Sequence, residues 1–157
     1  MKKLLAAVLT VVFTGMALNL AAAPAQSGKQ KEEVVWLTDF KEAQQLAEKE
    51  KKVMLVDFSG SDWCGWCIKL DKEVFSQAAF KQFAAKNLVL VLIDFPKKKS
   101  LSQSQLAANN ALAEKYGIDG FPTVLLLKPD GSIIVRTGYR RGGAEAYVKY
   151  LNGQLKR

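Results

Sequence analysis

Two cysteines, Cys64 and Cys67, are the residues of this chain whose type and spacing most directly suggest chemistry. They lie within Trp63-Cys64-Gly65-Trp66-Cys67, and the sequence has no other cysteine and no histidine. A Cys-x-x-Cys motif that follows a strand and opens a helix is typical of a redox-active pair. The free N–H groups and the positive dipole end of the helix favour a thiolate there. We therefore expect Cys64 to be the nucleophile and Cys67, one turn further, the resolving thiol of a reversible disulfide.

Three other uses of the cysteine pair remain open. A purely structural disulfide across so short a loop would stabilise the fold by only about 2 kcal/mol. A structural zinc ion needs four ligands, which two cysteines without histidine cannot supply within one chain. A metal cluster shared between two chains is the third alternative. Redox chemistry is the favoured interpretation, and we predict no metal and no cofactor.

Apolar runs and helical spacings predict the elements that hold this pair. Strand 53–58 (VMLVDF) leads into the motif and helix 63–74 carries it. The remaining predicted elements are strand 34–37, a helix from Asp39, a second helical stretch from Ser76 through 85, strand 88–95, helix 106–116 ended by Gly117, hairpin strands 123–127 and 133–137, and helix 144–155. This alternation predicts an α/β domain with a central mixed sheet. Its parallel strands are followed by a C-terminal antiparallel hairpin, and helices cover both faces.

The chain resembles the thioredoxin-fold family from about Val34 to Leu155, and it is most similar to secreted bacterial thioredoxin-like proteins with an SDWCGWC-type motif. Four features carry the resemblance in the family's order: strand 53–58 before the motif, Asp57, the segment Gly120-Phe121-Pro122-Thr123, and Gly138. The resemblance implies a thioredoxin fold and a thiol:disulfide oxidoreductase.

The resemblance also implies roles for residues around the cysteines. Asp57 would be a buried acid whose pKa is raised by desolvation and which accepts the proton of Cys67. The alternative is an ordinary strand-end acid that faces solvent. Pro122 would be cis, so that the backbone at Phe121 faces Cys64 and pairs with an incoming peptide chain. Gly138 would lie beside the site.

Two tryptophans flank the cysteines, and the residues between the cysteines bear on the redox potential. Trp63 and Trp66 are expected to form an apolar platform for the substrate, with core packing as the alternative for Trp63. Ordinary thioredoxins have Gly-Pro between the cysteines and protein disulfide isomerases have Gly-His, whereas this chain has Gly65-Trp66. Without that histidine, and with Asp62 opposing the thiolate, we expect a pair less oxidising than a dedicated disulfide-forming enzyme.

The first 25 residues have the pattern of a secretory signal peptide. Met1-Lys2-Lys3 is positive, the next 17 residues carry no charge, and small residues surround Ala23-Pro24-Ala25. We predict cleavage after Ala25, a flexible lead-in over 26–32 and a thioredoxin-like domain over 33–157. An uncleaved membrane anchor is the alternative. The predicted location is periplasmic or secreted, where disulfide chemistry is possible.

Chain length and net charge bear on the number of domains and on the kinds of binding partner. A chain of 157 residues fits one folded domain, and its formal charge of +8 becomes +6 without the two lysines of the leader. Lys97-Lys98-Lys99 and Arg140-Arg141 are interpreted as solvated loops. No aromatic residues alternate with them, so we predict no nucleic-acid binding. Loop 96–105 could extend one edge of the site.

The predicted function is a monomeric thiol:disulfide oxidoreductase that acts on exported proteins in the reducing or isomerising direction. Its predicted partners are the thiols and disulfides of those proteins, together with a membrane or periplasmic electron donor or acceptor. The alternative is a non-catalytic, chaperone-like module that binds unfolded exported chains.

Overall fold

The computed structural model describes residues 34–156. Their strands are β1 (Trp36–Leu37), β2 (Val53–Ser59), β3 (Leu88–Asp94), β4 (Thr123–Leu127) and β5 (Ile133–Thr137). Their helices are α1 (Phe40–Glu50), α2 (Gly65–Leu70), α3 (Ala78–Asn87), α4 (Gln103–Lys115) and α5 (Gly143–Leu155), with a π-helical segment at Asp71–Phe75. The predicted order of strands and helices is confirmed.

The strands form one mixed sheet in the order β1-β3-β2-β4-β5. Strands β1 and β2 both pair with β3 in parallel, whereas β4 runs antiparallel to β2 and to β5. Strand β2 is therefore central, and its carboxyl end feeds directly into the cysteine motif. The predicted parallel sheet with a C-terminal antiparallel hairpin is confirmed.

Strand β2 distributes its side chains alternately between two apolar layers, because successive residues of a strand point to opposite faces. Met54, Val56 and Phe58 pack in the layer that α1 and the end of α4 cover. Leu55 packs in the other layer, among residues of α2, the π-helical segment, α3 and α5. Asp57 alternates with Val56 and Phe58, so it points towards the layer that contains α2.

Several predicted boundaries were wrong by a few residues, and local hydrogen bonds explain the shifts. Helix 63–74 is in fact α2 from Gly65 followed by the π-helical segment, whose wider turn closes with a bond of 2.8 Å from Ser76 N to Asp71 O. Ser76 therefore ends this segment instead of starting the next helix, which begins after Gln77. Helix α4 begins earlier than predicted because the Ser102 side chain accepts a hydrogen bond from Gln105 N.

The predicted signal peptide over 1–25 and the lead-in over 26–32 lie outside the described residues. Within residues 34–156, the helices are too short or too polar to cross a membrane.

Candidate active site

The two cysteines lie at the start of α2 and form a disulfide with a Cα–Cα distance of 5.2 Å. Cys64 is the N-cap residue, with extended backbone angles, and its sulfur accepts a hydrogen bond of 3.2 Å from Cys67 N. A free N–H at a helix start directed at the sulfur is a contact that stabilises a thiolate. The exposed fraction is 7% for Cys64 and 4% for Cys67.

The cysteines open onto different spaces. Cys64 lines a surface cleft of about 450 Å³ together with Trp63, Ile118, Asp119, Gly120 and Phe121. Cys67 lines a separate cavity of about 270 Å³ on the other side, which also contains Asp57 and Asp71. An incoming chain can therefore approach Cys64, whereas Cys67 faces a buried acid. Among residues 34–156, no group of three or more Cys, Asp or Glu side chains is arranged to hold a metal ion.

Asp57 is a buried carboxyl group, with 6% of its surface exposed, and it does not face solvent. Its Oδ1 atom has no hydrogen-bond partner among the described residues. Burial, followed by repulsion from the carboxylates of Asp71 and Asp94, raises the pKa of Asp57 from 3.8 to about 7, while the Ser59 hydroxyl opposes this rise. An acid of this kind can take up or release a proton near neutral pH beside Cys67.

Trp63 forms one wall of the cleft and is 39% exposed, so it is not a core residue. Its indole Nε1–H donates a hydrogen bond of 2.7 Å to Phe95 O, and its ring meets the Phe121 ring edge-on at 6.1 Å. The ring also covers Gly60, where a Cβ atom would lie only 2.5 Å from the Trp63 Cε2 atom. A glycine at position 60 is therefore what allows Trp63 to lie against the chain here.

Trp66 is 55% exposed and belongs to a second aromatic cluster. Its ring lies 5.1 Å from that of Tyr139, and the Lys69 ammonium is 5.2 Å from the Trp66 ring centroid. Tyr139 in turn donates a hydrogen bond of 2.6 Å to Glu73 Oε2. Trp66 therefore has an exposed apolar face, and its ring packs against Tyr139 in the segment after β5.

Pro122 and Gly138 lie against each other beside the cleft. The Phe121–Pro122 peptide bond is cis. A Cβ atom on Gly138 would lie 2.9 Å from Pro122 O, so only glycine permits this approach of the two backbones. Phe121 stacks on Phe95 at 5.2 Å between ring centroids.

Asp62 connects the motif to the loop after β3. Its carboxylate accepts hydrogen bonds from the backbone N–H groups of Lys97, Lys98 and Lys99, at 2.9, 2.7 and 3.1 Å. These bonds, led by that of Lys97, lower the pKa of Asp62. The neighbouring Ser61 is bonded to the end of β3, because its N–H and hydroxyl both donate to Asp94. The expected opposition of Asp62 to the Cys64 thiolate is thus partly offset by three N–H donors.

The structure adds five residues to the site that the sequence did not single out. They are Phe95, which accepts the Trp63 hydrogen bond; Asp71 and Asp94, whose carboxylates face Asp57; and Tyr139 and Glu73, which support Trp66. Asp71 had a detectable signal, because it lies four residues after Cys67 and so on the same face of the helix. Glu73 lies in the same helical run, seven residues after Trp66, whereas Asp94, Phe95 and Tyr139 come from distant segments and have no local signal.

Comparisons with known proteins agree with this geometry. The family described as "Thioredoxin-like domain" matches residues 40–153. "Disulfide bond reductase DsbH" of Chlamydia pneumoniae is 34% identical over 117 residues, which cover 74% of this chain and 70% of that protein. "Thioredoxin-related protein DsbJ" of the same organism is 31% identical over 123 residues, but these cover only 35% of its length. A solved structure titled "DsbH Oxidoreductase" superposes with a TM-score of 0.77 at 30% identity, covering 87% of this chain and 95% of that one.

Proposed function

We propose that this chain, which belongs to the thioredoxin-like domain family and is a thiol-disulfide oxidoreductase, reduces or isomerises disulfides of exported proteins. The observation that carries the proposal is the division of the site: Cys64 lines the open cleft and Cys67 lines the cavity that holds Asp57. In this proposal, the Cys64 sulfur meets the substrate and the Cys67 thiol transfers its proton to the buried acid.

In the reducing direction, the Cys64 thiolate attacks one sulfur of a substrate disulfide. A bond forms between Cys64 and that sulfur, the substrate S–S bond breaks, and the other substrate sulfur leaves as a thiolate that takes up a proton. The Cys67 thiolate then attacks Cys64 and releases the second substrate thiolate. Two electrons pass from the enzyme dithiol to the substrate, and the Cys64–Cys67 disulfide is the oxidised product.

Asp57 is the proton acceptor of the second step in this proposal. Its pKa of about 7 lets it exist in both forms near neutral pH, so it can take the Cys67 proton and later return it. Support for this role comes from the cavity that the two side chains share.

The substrate chain is proposed to lie along the cleft, with its backbone paired to the chain at Phe121 and Pro122. Trp63 and Trp66 supply exposed apolar surface on either side of Cys64, and Gly138 keeps the backbone beside Pro122 free of a side chain. A cleft that binds the substrate by main-chain pairing can accept protein thiols and disulfides of varied sequence, because this pairing does not depend on side-chain identity.

Direction, location and redox partner form the last part of the proposal. The reducing direction is supported by the absence of histidine between the cysteines and by the printed name of the disulfide bond reductase relative. The signal-peptide pattern of residues 1–25 supports export to the periplasm or secretion, with 33–157 as the proposed working domain. A monomer that is reduced again by a membrane or periplasmic electron donor completes the cycle.

Reduction of insulin disulfides by dithiothreitol tests the activity. The natural chain should accelerate the precipitation of the insulin B chain, and Cys64→Ser should abolish the acceleration. Cys67→Ala should instead accumulate a mixed disulfide through Cys64, visible as a mass increase that a reductant removes. Full turnover by Cys64→Ser would refute the mechanism. Protection of unfolded clients by a Cys64→Ala/Cys67→Ala variant, without any turnover by the natural chain, would favour the chaperone-like module.

A further inference from the structure

We propose that the cleft prefers disulfides whose cysteine is flanked by acidic residues, and that Lys97, Lys98 and Lys99 provide this preference. These three residues are called the lysine rim below. The inference rests on the proposed function, since it names the class of substrate that the same site would take.

Lys97, the first residue of the lysine rim, borders the Trp63 wall of the cleft. The Lys97 ammonium lies 3.9 Å from the centroid of the Trp63 ring, which is close enough for a cation–π contact. Trp63 itself lines the cleft together with Cys64. A substrate chain that contacts Trp63 would therefore have its neighbouring side chains near the ammonium group of Lys97.

The rim is held in place by the motif itself. Asp62, two residues before Cys64, accepts the backbone N–H groups of all three lysines. The Trp63 indole bonds to Phe95 O at the base of the same loop. The positive charges are therefore tied to the cysteine motif instead of being carried on a loosely attached segment.

The rim charges are available to a partner. All three lysines are exposed, and none of their ammonium groups forms an ion pair with a carboxylate among residues 34–156. Asp119 lines the cleft and the Asp62 carboxylate is bonded to the backbone of the rim, so these are the acids that act against its positive charge. The Lys97 ammonium lies at the Trp63 wall of the cleft, and Lys98 and Lys99 follow it in the same exposed loop. With Asp119 as the one carboxylate that lines the cleft and Asp62 bonded to the loop backbone, this surplus of positive charge favours an acidic partner chain.

The test uses two peptide disulfides that differ only in the residues beside the cysteine, glutamate in one and lysine in the other. The pre-reduced protein is mixed with each peptide and the single-turnover rate constant is measured, so no electron donor is needed. Each value is divided by the rate constant with dithiothreitol, which corrects for the intrinsic reactivity of the peptide. Exposed charge pairs contribute up to a factor of about five each. We expect the glutamate peptide to react about tenfold faster at low salt, and the difference to fall to within about twofold at 0.5 M salt, a typical screening condition.

A matched pair of triple variants locates the effect. Lys97→Gln/Lys98→Gln/Lys99→Gln keeps the backbone bonds to Asp62 but should lose the preference. Lys49→Gln/Lys86→Gln/Lys128→Gln removes the same net charge and should keep it. Lys49 and Lys86 lie in the last turns of α1 and α3, which lead into β2 and β3, and Lys128 directly follows β4. All three are therefore at the end of the strands away from the motif, where Leu127 pairs with Met54 and Leu88 with Val53.

The outcomes separate this inference from the function on which it rests. Equal corrected rates for the two peptides in the natural chain, or loss of the preference in both triple variants, would overturn the role of the rim while leaving the oxidoreductase intact. Failure of the natural chain to reduce either peptide would overturn the proposed function and this inference with it. If the rim variant folds poorly, the ratio of the two corrected rate constants in the natural chain and its salt dependence still test the preference for acidic substrates.

Discussion

Replacing Asp57 with asparagine should change stability in a pH-dependent way whose sign follows from the structure. Burial and the carboxylates of Asp71 and Asp94 raise the pKa of Asp57 from 3.8 to about 7. Because the folded-state pKa lies above that of the unfolded chain, protonation of Asp57 favours the folded state. This stabilisation is fully present below about pH 4 and is lost as the pH rises through the folded-state pKa of about 7.

The size of the effect follows from the same two pKa values. A pKa difference from 3.8 to about 7 corresponds to about 4 kcal/mol, since one pKa unit equals about 1.4 kcal/mol. The asparagine of Asp57→Asn does not titrate. The natural chain should therefore lose up to about 4 kcal/mol of unfolding free energy relative to the variant between about pH 4 and pH 8. The unpaired amide adds a constant cost to the variant, so the pH dependence of the difference, and not its absolute value, reports on Asp57.

Urea unfolding of both proteins, followed by tryptophan fluorescence at several pH values, measures this difference. The disulfide form is used because Cys64 and Cys67 then do not titrate. Ionisable groups that do not interact with Asp57 cancel in the subtraction. Asp119→Asn serves as an exposed control, for which the difference should vary by less than about 0.5 kcal/mol. A difference between the natural chain and Asp57→Asn that stays constant from pH 4 to pH 8 would refute the assigned environment of Asp57.

Two further substitutions, Gly138→Ala and Asp62→Ala, test contacts around the motif, and Gly153→Ala is the control for the first. Gly138→Ala places a Cβ atom 2.9 Å from Pro122 O and should cost about 1–3 kcal/mol of unfolding free energy as well as reductase activity. Gly153→Ala, where a Cβ atom meets nothing within 4 Å in the last turn of α5, should instead stabilise by up to about 0.5 kcal/mol, and denaturant unfolding compares the two. Asp62→Ala removes the acceptor of three N–H groups, so the amides of residues 97–99 should exchange with deuterium faster, with the insulin-reducing activity retained. Unchanged amide exchange at those positions would contradict the role of Asp62 in holding the loop.

Local sequence patterns were sufficient for the elements and for their order. The apolar run before the motif predicts β2 because a strand buried on both faces needs apolar side chains at nearly every position. The same run places Asp57 among buried residues. Boundaries were less well predicted where a short-range hydrogen bond replaced the regular helical pattern, as at Ser76, which ends a π-helical turn.

The sequence by itself determined the chemistry of this protein: a cysteine pair one helical turn apart, directly after a buried strand, with an acid in that strand. These are relations between residues close along the chain, so spacing and periodicity reveal them. Only the tertiary structure decided the surroundings of that chemistry. The carboxylates of Asp71 and Asp94 face Asp57. Asp62 holds the backbone of the lysine rim, although Asp62 and Lys97 are 35 residues apart in the sequence. The contacts of Asp94 and Asp62 arise because parallel pairing of β2 with β3 brings the carboxyl ends of both strands together, and no pattern within either segment encodes them. Asp71 reaches the cavity of Asp57 because α2 and the π-helical segment pack over β2.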